Sequence, residues 1–321
     1  MESIRLPRFK RASEIASMQL TERDRDVIRH VHRHRFLRST QITGLIGDSP
    51  AQLLRRLQRL FHHGYLERPR AQVDYFHRGG SQPIVYGVGS KGAAFLRQDS
   101  GSVRRDLNGS QKNRGIGRLF LEHALLISDV MVELELACRK SGRVRLLTGD
   151  QIPLPDELRN HREPFRWRVT LNNRQKLGLI PDPVFALEFA DPPLGRNRAF
   201  FFLEADRATM PVIRQNLSQT SFFRKLLAYQ ATWRLGIHHS PFGFPRFRVL
   251  TVTSSPQRMV NLVTACRGIE RGHGYFSSPT GAPWLGWTRS TTTGNQDDHQ
   301  RRRDSLTLDN PRRQLARVPK A

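Results

Sequence analysis

The segments Pro181-Asp182-Pro183-Val184-Phe185-Ala186-Leu187 and Phe200-Phe201-Phe202-Leu203-Glu204-Ala205-Asp206-Arg207 decide how the second half of the chain folds. Each puts acidic residues at the edge of a short apolar run: Asp182 opens the first, and Glu204 and Asp206 close the second. Short β-branched and aromatic runs bounded by Pro, Gly and Asn read as strands. The connector Asp191-Pro192-Pro193-Leu194-Gly195-Arg196-Asn197 is turn-rich, so the two strands are expected to form a hairpin. In an antiparallel pair the start of the first strand lies beside the end of the second. That pairing brings Asp182 and Glu204 to one end of a sheet. Carboxylates gathered there repel unless a cation or basic partner sits between them, which is the arrangement a Mg²⁺ site uses.

Around this hairpin the pattern predicts a long amphipathic helix over 118–139, carrying Leu121, Leu125, Val130 and Leu134. Strands are expected at 144–147 and 165–169, a helix over 210–236 with Leu217, Phe223, Leu226 and Leu227, and a strand over 247–253. Ser255 and Pro256 start a last helix through Cys266. The order is helix, two or three strands, helix, strand.

The first half reads differently. A helix is expected from Thr21, with Asp24 three residues on as a capping-box variant and Val27, Ile28 and Val31 as its apolar stripe. A shorter helix fits 40–46, and Gly47-Asp48-Ser49-Pro50 caps a third running to about 63. In that third helix Leu53, Leu54, Leu57, Leu60 and Phe61 form one buried face. At ~100° per residue, Gln52, Arg55, Arg56 and Arg59 fall on the other. Such a unit is what a winged helix-turn-helix needs, its basic face entering the major groove of double-stranded DNA. Segments 64–68 and 83–87 read as strands around a Gly-rich tip holding Arg78, Gly79 and Gly80, a wing able to touch phosphates. Gly89-Ser90-Lys91-Gly92 lacks the glycine spacing of a phosphate-binding loop and reads as a helix cap. His30 and His34 share a helix face, but no cysteine or carboxylate is placed nearby in sequence to complete a metal site, so a solvated or DNA-facing helix end is expected.

Composition agrees with a polyanionic partner. The 321 residues carry 53 Lys plus Arg against 28 Asp plus Glu, a formal charge of +25, which favours nucleic acid. No apolar run of ~18 residues exists and the N-terminus has no signal-peptide core, so no membrane insertion is expected. Two isolated cysteines, Cys138 and Cys266, suit a reducing cytoplasm. The predicted organisation is a basic, flexible lead-in (1–19), a winged-helix domain (20–98), a linker (99–117), an α/β domain (118–288) and a disordered basic tail (289–321).

The αβββαβ order with Pro181-Asp182 and Glu204-Ala205-Asp206 resembles the PD-(D/E)XK nuclease superfamily. The superfamily's lysine position holds Asp206, and Lys225 on the next helix is the candidate replacement. The resemblance implies that Asp182 and Glu204 hold Mg²⁺ and that Lys225 orients or helps deprotonate the attacking water. Asp206 would add a ligand or hold Arg207. More narrowly, the winged helix, Leu121-Glu122-His123 with Asp129, Pro181-Asp182, Leu203-Glu204-Ala205-Asp206-Arg207-Ala208-Thr209 and Lys225-Leu226-Leu227-Ala228-Tyr229 together resemble the replication-relaxation family over about 20–270. Ala208 stands where that pattern leads one to expect Gly. The resemblance implies a DNA-binding role in replication, relaxation or mobilisation of a plasmid or integrative mobile element, with a relaxase or replication proteins as partners. The second domain is then a degenerate nuclease-like fold. The alternatives are a Mg²⁺-dependent endonuclease and a transcriptional repressor of the same element.

Overall fold

In the N-terminal part, helices α1 (Glu22–His34), α2 (Ser39–Ile46) and α3 (Pro50–His62) pack against a small sheet. The computed structural model describes residues 7–47, 49–73, 82–100, 113–159, 161, 163–171, 175–191, 193 and 196–269. α1 starts where its capping box predicts: Asp24 N–H donates to Thr21 Oγ1 at 3.3 Å, and Thr21 N–H donates to Asp24 Oδ2 at 2.8 Å. Val27, Ile28, Val31, Ile42, Leu53, Leu57 and Leu60 are wholly buried together. Leu54, expected in this core, is instead 46% exposed, because the stripe of Leu53, Leu57, Leu60 and Phe61 already fills the contact.

Strands β1 (Leu37–Arg38), β2 (Leu66–Glu67) and β3 (Val85–Val88) form an antiparallel sheet in the order β1-β3-β2. β1 is too short to show in the sequence pattern. Helix α4 (Ser90–Ser100) follows. A Cβ at Gly89 would lie 2.4 Å from the Gly64 carbonyl oxygen, and one at Gly92 would lie 2.3 Å from that of Tyr65. These two glycines therefore let the start of α4 press on the backbone after α3, in keeping with a cap. Residues 8–19, expected as a flexible lead-in, are tied to α3 and β2. Arg11 donates to Phe61 O and to Glu67, Ala12 N–H to His62 Nδ1, and Arg59 to Ser17 O.

Helix α5 (Arg118–Ser141) ends at Gly142, whose φ of 64° is the left-handed form glycine adopts freely. It leads into a four-stranded sheet of β4 (Val144–Thr148), β7 (Val184–Phe189), β8 (Arg198–Asp206) and β9 (Phe247–Thr253), in that order. The first two pairings are antiparallel and β8–β9 is parallel. The chain is thus mixed helix and sheet, as expected. The strand predicted at 165–169 does not join this sheet. As β5 (Trp167–Thr170) it pairs only with β6 (Lys176–Leu179). That hairpin, inserted after the one-turn helix α6 (Asp156–Arg159), buries Val169, Leu177 and Leu179 in the main core.

The helix expected over 210–236 is shorter. α7 spans Phe222–Arg234, because Ser221 caps it by accepting from Arg224 N–H at 3.2 Å. Leu217 lies outside it. α8 (Pro256–Arg267) begins at the predicted Ser255 cap. Between α7 and the sheet, Phe202, Trp167, Tyr229, Phe242, Phe244 and Phe247 form an aromatic cluster, with Phe200 and Phe244 stacked at 4.1 Å. Each fully buried ring contributes about 1.5–3 kcal/mol.

α5 belongs to two cores at once. Val130 and Met131 pack on Phe185, Leu203, Ala205 and Val252 of the sheet. Leu121, Ala124 and Leu125 pack on Phe36 and Val85, and Val132 enters the core of α1–α3. Polar contacts follow the same face: Asp129 accepts from Arg38 and from Gln41 Nε2 (2.8 Å), and Ser128 Oγ lies 2.7 Å from Phe36 O.

Candidate functional site

The acidic residues of the hairpin meet as the pairing requires. Continuing the register of Val184 opposite Phe202 by two residues sets Asp182 opposite Glu204, and Asp182 N–H donates to Leu203 O at 3.0 Å. Asp182 Oδ2 accepts from Ala205 N–H at 2.7 Å, and its Oδ1 lies 3.0 Å from His123 Nε2, on α5. His123 is one-third exposed and Asp182 less so, which makes this pair the open side of the site.

Glu204 is the closed side. It is 2% exposed, with Lys225 Nζ 2.5 Å from Oε2 and Tyr229 Oη donating to Oε1 at 2.6 Å. Lys225 and Tyr229 stand four residues apart on α7, so both reach the end of β8 from one helix face. Burial raises the Glu204 carboxyl above the usual range, and Asp182 adds to this while Lys225 opposes it. Burial would pull the Lys225 ammonium down, but Glu204 outweighs it and holds the group above its ordinary value. Lys225 is therefore a fixed cation near neutral pH. As a cation it can orient water or a phosphate oxygen by its positive charge. Burial also pushes the Tyr229 phenol well up.

Asp206, two residues on along the same strand, shares the face of Glu204 but is engaged elsewhere. It is 6% exposed and its carboxylate is taken by Arg258 of α8. Arg207, expected to pair with Asp206, instead meets Glu122 of α5 and donates to Leu119 O at 2.7 Å. Ala208 follows at φ 59°, a left-handed conformation that explains why Gly is expected there. The site so assembled joins Asp182, Glu204 and Lys225 with His123 and Tyr229. Asp206 lies beside it, paired with Arg258.

On α3, Gln52, Arg55 and Arg59 are exposed along one face. Arg56 is not equivalent to them. Its Nε lies 2.6 Å from Asp24 Oδ1, and a second contact reaches Oδ2, so its charge is spent inside the module. The segment 16–19 runs beside this face, accepting from Arg56 at Gln19 O, from Arg59 at Ser17 O and from His63 at Ala16 O. Arg78, with Gly79 and Gly80, lies outside the described residues, as does the expected tail.

The histidine reading is overturned by a residue distant in sequence. His30 and His34 of α1 lie against Glu135 of α5, their ligand atoms all within 4.8 Å of one another. Burial holds His30 down to about 4. Burial works against the Glu135 charge, yet His34, Arg33 and His30 hold its carboxyl down to about 2. Glu135, His123 and Arg258 are the partners that sequence spacing does not reveal, because each reaches its group from another element.

Among the described residues no helix is long and apolar enough to cross a membrane. Residues 28–245, more than half of the chain, match the family described as Replication-relaxation. No curated protein and no solved structure matches the chain.

Proposed function

The chain belongs to the replication-relaxation family, and from that premise we propose that it binds double-stranded DNA in the replication, relaxation or mobilisation of a plasmid or integrative mobile element. In this reading α1–α3 with β1–β3 act as a winged helix-turn-helix, and α3 is the element that enters the major groove. The observation that carries it is the division of α3: Leu53, Leu57 and Leu60 fully buried, Gln52, Arg55 and Arg59 exposed on one face. A formal charge of +25 supplies the long-range attraction to phosphate. Duplex binding by fluorescence anisotropy across a salt series tests this. Affinity should fall steeply with salt, and Arg55→Ala with Arg59→Ala should weaken binding at least tenfold and flatten the salt slope by roughly one per arginine lost. Duplex binding unchanged by the double substitution would overturn the reading.

A second reading is favoured by the contact of Lys225 with Glu204 beside Asp182: a PD-(D/E)XK-like endonuclease using Mg²⁺. The donor chemistry fits the ion, because Asp182 and Glu204 offer hard carboxylate oxygens, and their present hydrogen bonds leave each oxygen a further lone pair. Mg²⁺ there would stabilise charge on the phosphate being cleaved. Lys225 would hold a phosphate oxygen or the attacking water by its positive charge, and His123, aligned by Asp182 and open to solvent, is placed to take a proton. Cleavage of supercoiled plasmid with and without Mg²⁺ decides it. Equal nicking by wild type, Asp182→Ala and Glu204→Ala would leave the DNA-binding reading standing alone. A repressor of the same element is distinguished by protection of its own promoter in footprinting.

A further inference from the structure

α1 and α5 meet at a group that neither the sheet-end site nor the α3 face uses. His30 and His34 are one helical turn apart and so project from one side of α1. Glu135 faces them from α5, with His34 Nε2 3.3 Å from Oε2 and His30 Nδ1 4.0 Å from Oε1. The three side chains are 13%, 4% and 10% exposed. His30 Nδ1 is buried with no hydrogen-bond partner, which is costly for a polar atom unless something else meets it.

We propose that His30, His34 and Glu135 form a binding site for one Zn²⁺-class transition-metal ion that clamps α1 to α5. Two imidazoles and one carboxylate are a common three-ligand set for zinc. Zinc bonds of ~2.0–2.2 Å place tetrahedral ligands about 3.4 Å apart. His34 Nε2 lies 3.3 Å from Oε2, and the three ligand atoms all lie within 4.8 Å of one another, so side-chain rotations would have to draw His30 in to reach that value. The ion would meet the orphaned His30 nitrogen and would also explain why two histidines are packed around a buried carboxylate.

Two cations border the site and bear on the metal's affinity. Arg139 Nη2 lies 2.5 Å and Arg33 Nη1 3.4 Å from Glu135 Oε1. Both arginine side chains are over 40% exposed and approach the same oxygen, leaving Oε2 on the histidine side. Arg139 is also held by Leu45 O at 2.6 Å and lies 3.5 Å from His30 Nε2, so metal binding would have to compete with these contacts. Arg33, Glu135, Cys138 and Arg139 also line a cavity of about 560 Å³. That cavity reaches the Glu135 side of the site. α1 packs in the core of α1–α3 and α5 backs the sheet, so the clamp would fix one against the other.

The test uses the full chain purified without a histidine tag, stripped with chelator and titrated with Zn²⁺, Co²⁺ and Mg²⁺ separately. One equivalent of Zn²⁺ should bind and raise the melting temperature, Co²⁺ should give the intense visible bands of a four-coordinate site, and Mg²⁺ should do neither. His30→Ala and Glu135→Gln should each weaken Zn²⁺ binding tenfold or more, whereas His63→Ala should leave it unchanged. The wild-type titration stands even if a variant fails to fold. Absence of stoichiometric Zn²⁺ in the wild type, or equal Zn²⁺ binding by His30→Ala, Glu135→Gln and wild type, would overturn the proposal.

Discussion

Asp206 and Arg258 form a two-point ion pair that joins the end of β8 to the first turn of α8, with Nε 2.5 Å from Oδ2 and Nη2 3.0 Å from Oδ1. Their side chains are 4% and 9% exposed, and Arg258 also donates to Met210 O. The acid that stands in a lysine's place is therefore held in a buried ion pair. Asp206→Ala should destabilise the protein by about 3–5 kcal/mol, since it strands a buried guanidinium. Urea denaturation measures the loss, and an unchanged midpoint would show the pair to be dispensable.

Arg55 and Arg56 are neighbours with opposite expected behaviour. Arg55→Ala should reduce DNA affinity and leave stability within about 0.5 kcal/mol, as for exposed substitutions generally. Arg56→Ala uncovers Asp24, which is fully buried, and should cost about 3 kcal/mol. Thermal melting of the two variants side by side checks the difference.

The same pair sets a pH dependence. Burial raises the Asp24 carboxyl, but hydrogen bonds from Arg56 and Thr21 outweigh it and leave the group below its usual value. A carboxyl depressed by folding contributes stability that is fully present above the unfolded value, about 3.9. That contribution is lost as pH falls through the lower folded value. Asp24→Asn should be less stable than wild type at neutral pH and lose less on acidification below pH ~4, as followed by circular dichroism.

Lys225→Met should act in the opposite pH sense. Glu204 already has a raised carboxyl, and removing its cation raises it further. A carboxyl raised by folding lowers stability as pH climbs from the unfolded toward the folded value. The variant's deficit should therefore be larger at pH 8 than at pH 5, and a deficit independent of pH would show that the ion pair does not govern Glu204.

Ala208→Gly should stabilise the protein. A left-handed alanine costs about 1–2 kcal/mol, and glycine's greater freedom in the unfolded chain returns about 0.5–1 of it. A net gain of about 0.5–1 kcal/mol in denaturant melts is expected, with DNA affinity unchanged.

Sequence by itself determined the parts of this protein that depend on neighbours along the chain. The capping box at Thr21 and Asp24, the Ser255 cap and the leucine stripe of α3 are local patterns, and each appears where it was read except that Leu54 lies outside the stripe. The meeting of Asp182 with Glu204 was also legible, because antiparallel pairing and a turn fix which ends coincide. The helix start at Phe222 was not, since apolar spacing ran upstream through Leu217 and only the Ser221 cap and backbone bonds to Pro211 and Val212 end it there. Tertiary structure alone decided the charge partners: Arg56 with Asp24, Asp206 with Arg258, Arg207 with Glu122, and the histidines of α1 with Glu135. Sequence spacing gives the direction of a side chain on its own element. Which opposite charge it meets depends on how two elements pack, and in this chain α5 and α8 supply most of those meetings.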